Sequence, residues 1–186
     1  MFFSARTVQQ VSVLPYRNDA EGLRFLLITS RRRGRWILAK GWPKAGDPLA
    51  EMAGQEAFEE AGVHGEVAPR AIGHYRYIKR VRSGYRVPCA VSVYPMRVTT
   101  EHADWPERGE RRIQWVPPAE AATLVAEPGL RRLLRRLSDE FDEAGLEVFL
   151  AHPRPLPADP PLVRLMDRVG QWLRPSAART TGPESG

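Results

Sequence analysis

The segment Asp47–Val63 constrains this chain more than any other. Asp47 offers an N-cap, and Pro48 follows at the first helical position, where its missing N–H costs nothing. Gly62 supplies a left-handed stop. Between them Leu49, Met52, Ala53, Ala57 and Ala61 recur at helical spacing, which predicts an amphipathic helix from Pro48 to about Ala61. Short runs with strand character flank it. Val8–Leu14, closed by Pro15, and Arg24–Ser30 read as a hairpin through a turn at residues 18–22. Residues 36–39 form a further short strand, and residues 40–46 are Gly- and Pro-rich loop. Beyond the helix, Val63–Lys79 and Arg86–Val98 read as long strands joined by a turn with Arg80, Arg82, Ser83 and Gly84. Arg111–Val116 is another strand, followed by helices over 119–125 and 129–144. The last of these turns Leu130, Leu133, Leu134, Leu137 and Phe141 inward, with Arg131, Arg132, Arg135 and Arg136 on its outer face. Strands on both sides of the first helix and helices at the end predict an α+β fold, a mixed sheet layered as an α/β/α sandwich.

The central helix carries an unfavourable charge pattern. Glu56, Glu59 and Glu60 sit at i, i+3 and i+4 and share one face, spanning about 100°. Like charges at this spacing repel by a few tenths of a kcal/mol. Glu59 and Glu60 also lie in the last turn, where the helix dipole disfavours anions by roughly 0.3–1 kcal/mol each. No lysine or arginine lies within the helix to offset them. A bound hard divalent cation reverses the sign of every one of these terms, because Mg²⁺ takes oxygen ligands.

Composition narrows the setting. Basic residues number 28 and acidic residues 22, a formal net charge of +6, which points to anionic partners. Only Lys40, Lys44 and Lys79 are lysines; the remaining basic residues are arginines, which grip phosphate in a bidentate way. The single cysteine, Cys89, excludes an intrachain disulfide and a Cys-based zinc site. His64, His74, His102 and His152 lack metal-ligand spacing and read as structural. No signal-peptide pattern or membrane-length apolar run is visible, so the expectation is a soluble cytoplasmic protein with no membrane partner.

The stretch from Gly41 through Asp47 and Gln55-Glu56-Ala57-Phe58-Glu59-Glu60-Ala61-Gly62-Val63 resembles the Nudix box, G-x5-E-x7-R-E-U-x-E-E-x-G-U with U aliphatic. Seven of the nine fixed positions match when Ala57 counts as U. The departures are Asp47 for Glu and Gln55 for Arg, a pair that in the family forms the salt bridge bracing the box. A neutral–charged hydrogen bond between Asp47 and Gln55 is the expected replacement. The resemblance implies the Nudix fold over about residues 6–145 and Mg²⁺- or Mn²⁺-dependent cleavage of a nucleoside diphosphate linked to another moiety, or of a related diphosphate. It implies Glu56, Glu59 and Glu60 as catalytic metal ligands, with the Gly41 carbonyl as a further ligand. Either Glu56 or Glu60 takes the proton from the attacking water. A carboxylate from a later loop often joins such a site, and Glu107 and Glu110 are the candidates here.

Ser30-Arg31 through Arg35-Trp36-Ile37, with Asp104-Trp105 and Trp115, is similar to the diphosphoinositol polyphosphate phosphohydrolase branch, which also cleaves diadenosine polyphosphates. That likeness implies a phosphorylated small-molecule substrate and a basic pocket, for which Arg31, Arg35, Lys40, Arg80 and Arg86 are the phosphate-binding candidates. Lys79 and Arg82 lie in the same loops. Trp42 either stacks on a base or sugar or covers the core. The alternatives are an RNA 5′-end pyrophosphohydrolase and a catalytically weak Nudix-fold regulator that binds nucleic acid or nucleotide. The expected organisation is a Nudix domain over 1–150 and, over 151–186, a Pro-rich arm, a short amphipathic helix (Leu162–Leu173) and a disordered tail. The chain is expected to be a monomer or a homodimer.

Overall fold

A computed structural model of the chain describes residues 7–80 and 86–156. The Arg82–Gly84 turn, the Pro-rich arm from residue 157 on, the Leu162–Leu173 helix and the tail lie outside the described residues. The elements in chain order are β1 (Val8–Asp19), β2 (Gly22–Thr29), β3 (Trp36–Ile37), β4 (Lys40–Gly41), α1 (Leu49–Ala61), β5 (Val63–Val67), β6 (Gly73–Arg80), β7 (Arg86–Glu101), β8 (Ile113–Val116), α2 (Pro118–Leu124), α3 (Pro128–Glu140) and α4 (Glu143–Ala151). The eight strands form one mixed sheet with a path β3-β2-β1-β7-β5; β4 joins β1, β6 joins β7 and β8 joins β2. The central β1–β7 pair is parallel and its neighbours are antiparallel.

Two hydrophobic clusters, one on each face of the sheet, make the expected sandwich. On β1, Val11 and Val13 face α1 while Leu14 and Tyr16 face the other way; on β2, Leu26 and Ile28 oppose Leu23, Phe25 and Leu27. This two-sided burial explains why β2 reads as a nearly continuous apolar run. The second face is covered by Ala121, Ala122, Leu130, Leu133, Leu134, Leu137, Leu146 and Leu150 of the later helices. On the first face α1 contributes Met52, Ala53, Ala57 and Ala61. Their small side chains let the carboxylate helix lie close to the sheet. No helix among the described residues is long and apolar enough to cross a membrane.

Several local expectations are corrected. The first strand does not stop at Pro15 but runs on to Asp19. Val13 N–H points away from β7, to the Ala39 carbonyl at 3.1 Å, and Pro15 has the same orientation two residues on. There it faces the gap between the β4 pairing at Val11–Ser12 and the β2 pairing that begins at Tyr16, so its missing donor costs no ladder bond. Lys40 and Gly41 pair with Ser12 and Val11 rather than lying in a loop. Pro48 occupies the N-cap of α1 without a side-chain cap from Asp47, and Leu49 is exposed. The strand expected over 63–79 is two, β5 and β6, joined by an edge segment around Pro69. The helix expected over 129–144 breaks after Glu140, because Asp142 caps a new helix by accepting the Gly145 N–H at 2.8 Å. The compact unit therefore extends through α4 to Leu156, whose N–H reaches the Ile72 carbonyl at 2.9 Å.

Candidate functional site

The three glutamates project from the last two turns of α1, as the spacing predicted, and the surrounding elements converge on that end. Gly62 closes the helix in the left-handed conformation, φ 69° and ψ 27°, with its N–H on the Phe58 and Ala57 carbonyls. A side chain at Gly62 would run into the Trp105 ring, so this glycine is required for conformation and for space alike. Trp105 belongs to the segment between β7 and β8, residues 102–112. Glu107 N–H in that segment donates to the Glu59 carbonyl at 3.1 Å, satisfying one of the helix-end acceptors. His102 anchors the start of the segment: its N–H meets the Gly62 carbonyl at 2.8 Å, and its ring nitrogen Nε2 lies 2.7 Å from His64 Nδ1. Phe58 stacks on His64 at 4.5 Å. These two histidines are structural, as expected, and they pin the segment to the end of α1.

Gly41 lies against Glu56; a β-carbon there would collide with the Glu56 carboxylate. Next to it, Lys40 N–H donates to Glu60 Oε2 at 3.0 Å. The short β4 strand thus carries the box glycine and one backbone donor to the carboxylate face. Burial pushes the Glu56 carboxyl up to about 7, reinforced by the charges of Glu60, Glu59 and Glu107 and opposed by Arg111. Glu60 is also raised by burial, against the pull of Arg111 and the Lys40 N–H. The repulsion read from the spacing is therefore present, concentrated on Glu56.

Of the two later carboxylates, Glu107 joins the cluster. Its Oε1 lies 3.1 Å from Arg31 and its Oε2 accepts from Arg111 Nε at 2.7 Å. Glu110 sits further out, paired with Arg31 at 3.2 Å. Arg111 is the central residue that sequence reasoning missed. Its side chain is only 5% exposed; besides Glu107 it contacts the Thr29 carbonyl at 3.1 Å and Glu60 Oε1. One arginine among so many carried no distinguishing signal beyond its place at the head of a predicted strand.

The brace expected between Asp47 and Gln55 is not formed. Gln55 Nε2 instead donates to Glu59 Oε1 at 2.6 Å, one turn along the same helix. Asp47 precedes the helix, where its own N–H approaches the Lys44 carbonyl at 3.5 Å. A neutral amide gains more from the carboxylate at the dipole-disfavoured end of its own helix than from the shorter aspartate before it.

Arg31 meets the acidic cluster and is held by Glu107 and Glu110. Lys40 lies on β4 beside the site; burial lowers its ammonium below the usual lysine range, with Glu127 and Glu60 pulling it back up. Its Nζ sits 5.8 Å from the Tyr77 ring centroid. Arg35 is exposed on the 30–35 loop, which Ser30 N–H closes on the Arg35 carbonyl at 2.8 Å. Arg80 and Arg86 are register partners across the β6–β7 ladder, and Arg86 is exposed. Lys79 Nζ lies 4.4 Å over the Trp42 ring. Trp42, the residue after Gly41, is 43% exposed, so it does not cover the core.

Three carboxylates and a glycine backbone are hard oxygen donors, the chemistry that suits Mg²⁺ or Mn²⁺. Among the described residues, however, no three carboxylate, imidazole or thiolate groups converge closely enough to hold one ion. Glu60 is turned toward Arg111, and Glu59 is engaged by Gln55. By its chemistry the donor set fits a divalent cation.

Comparison with known proteins agrees with this geometry. The sequence profile of the NUDIX domain matches residues 6–137. Nudix hydrolase 12, mitochondrial, of Arabidopsis thaliana is 30% identical over 125 residues, 63% of this chain and 62% of that protein, so the chain spans less than two thirds of that relative. Nudix hydrolase 17, mitochondrial, of the same plant is 30% identical over 146 residues, covering 73% of this chain and 78% of the relative. Among solved structures, a C. elegans Ap4A hydrolase superposes with TM-score 0.52 at 17% identity over 73% of this chain and 98% of that one. The NUDIX domain of Shewanella oneidensis NrtR, complexed with ADP ribose, gives 0.54 at 14% identity over 73% and 88%. These two show a shared fold. Since the profile spans most of the chain and takes in the whole carboxylate helix, the chain belongs to the NUDIX domain family.

Proposed function

We propose that this chain is a divalent-metal-dependent phosphohydrolase that opens a phosphoanhydride in a nucleoside-diphosphate-linked or polyphosphorylated small molecule. The carrying observation is the carboxylate cluster itself: Glu56, Glu59 and Glu60 on α1, beside Gly41 and joined by Glu107. When bound, Mg²⁺ or Mn²⁺ lowers the pKa of a water and neutralises charge on the phosphoryl oxygens. Glu59, Glu60 and the Gly41 carbonyl would hold it. Glu56 has neither hydrogen bond nor ion pair among the described residues, whereas both Glu60 oxygens are engaged. Glu56 is accordingly the carboxylate free to take the proton of the attacking water. Lys40 lies next to Gly41 with its N–H on Glu60, and Arg31 pairs with Glu107 of the cluster. The exposed Trp42 indole, steadied by Lys79, favours a base-bearing substrate of the diadenosine polyphosphate type over a diphosphoinositol polyphosphate.

The test is product release from a panel of ADP-ribose, diadenosine polyphosphates, a diphosphoinositol polyphosphate and 5′-triphosphorylated RNA, with Mg²⁺ and with Mn²⁺. Turnover of at least one small-molecule anhydride, lost in folded Glu59→Gln, is expected. Full activity in that variant would remove the metal-site assignment. Activity confined to RNA would support the pyrophosphohydrolase reading, and binding without turnover the regulator.

A further inference from the structure

Arg111 occupies an unusual position for an arginine. Its side chain is 5% exposed and that of its partner Glu60 only 11%. Its Nε donates to Glu107 Oε2 at 2.7 Å, one terminal nitrogen donates to the Thr29 carbonyl at 3.1 Å, and the other meets Glu60 Oε1. The planar fork thus ties α1, the 102–112 segment and the end of β2 through a group that stays charged at any working pH. The second oxygen of Glu60 already accepts the Lys40 N–H at 3.0 Å. Each Glu60 oxygen therefore already accepts one donor, and the donor on Oε1 is a charged guanidinium.

A divalent cation of the Mg²⁺ type needs a carboxylate oxygen at about 2.0–2.1 Å. With the guanidinium still on Oε1, two positive groups would share one oxygen at a separation of roughly 4 Å in a largely dry site, where their repulsion is poorly screened. We propose that Arg111 and the divalent cation are alternative partners of Glu60, so that the cation closes its cage only as the Arg111–Glu60 pair opens. This rests on the reading that the α1 carboxylates hold the cation. It also accounts for the failure of the carboxylates to converge on one point: Arg111 draws Glu60 and Glu107 to itself and leaves Glu56 unpaired. Arg111 is in this sense a positioning residue. It keeps the buried Glu60 and the partly buried Glu107 compensated and sets the threshold at which a cation displaces it.

The proposal fixes a sign. Removing the guanidinium takes away a competitor and a repelling charge, so cation binding tightens even though the protein without cation loses a buried ion pair. The experiment is Mg²⁺ titration of chelator-treated, then buffer-exchanged full-length protein, followed by calorimetry and by thermal unfolding, for the wild type, Arg111→Gln, Arg111→Lys and Glu59→Gln. Arg111→Gln is expected to bind Mg²⁺ about tenfold more tightly than the wild type. It should also melt lower without Mg²⁺ and show the larger Mg²⁺-induced rise in Tm. Arg111→Lys keeps the charge but cannot span three acceptors, and should shift the same way by less; it carries the test if Arg111→Gln does not fold. Binding by the arginine variants equal to or weaker than wild type overturns the proposal while wild-type binding, lost in Glu59→Gln, leaves the metal site standing. A wild type that binds no Mg²⁺ removes the metal site and the competition together.

Discussion

Substituting Glu56 by glutamine should stabilise the protein in the presence of chelator, and only above a defined pH. The Glu56 carboxyl is carried from the usual 4.5 to about 7, first by burial and then by its neighbours' charges. At 1.36 kcal/mol per pH unit this displacement costs the ionised native state about 3 kcal/mol. Glu56 is only half-buried, so solvent screening reduces the figure to about 1–2 kcal/mol. The native carboxyl holds its proton to higher pH than the unfolded chain does. Its contribution is thus fully present below about pH 4.5 and is lost as the pH rises toward 7. Glutamine has no proton to lose, so the advantage of Glu56→Gln is near zero at the acid end, grows across that window and is flat above it. For a domain of this size 1 kcal/mol corresponds to about 2–4 °C, so a rise of roughly 2–8 °C is expected at pH 8. Thermal unfolding of both proteins with chelator at pH 5 and pH 8 measures it. An equal gain at both pH values, or a loss at pH 8, would refute the assignment of the strain to this carboxylate.

Two further outcomes follow from the same geometry. Gly62→Ala places a side chain in the left-handed region and against the Trp105 ring, so urea unfolding should show a loss of about 2 kcal/mol or more, with Glu107 displaced and turnover reduced. Trp42→Ala should raise KM about tenfold for base-bearing substrates while kcat stays within about twofold, since stacking contributes roughly 1–3 kcal/mol per base. The same KM change with a base-free polyphosphate would show that the indole is not a stacking platform.

The carboxylate helix was legible because its information is local. Apolar spacing, the Gly62 stop and the clustered glutamates all lie within one short segment, and the repulsion they imply adds to the burial that raises Glu56. The sandwich was legible for a related reason. β2 is buried on both faces and therefore reads as a continuous apolar run, with the Val-containing β1 segment beside it. Local reading failed where a neighbour in space decided the outcome. Pro15 looks like a strand end until the gap beside β1 is seen, and residues 129–144 look like one helix until Asp142 is found capping a second. Gln55 faced two carboxylates in sequence, Asp47 and Glu59, and only the folded backbone brought one of them within 2.6 Å.

Arg111 marks the boundary most sharply. The sequence by itself determined that three carboxylates would share one helix face, because periodicity alone puts them there. Only the tertiary structure decided which cation they meet first. Arg111 is 51 residues from Glu60, and it reaches that carboxylate because β8 pairs with β2 and the 102–112 segment is pinned to the end of α1 by Gly62, His102 and Glu107. Long-range contacts of this kind depend on strand register and loop closure, which no local pattern encodes.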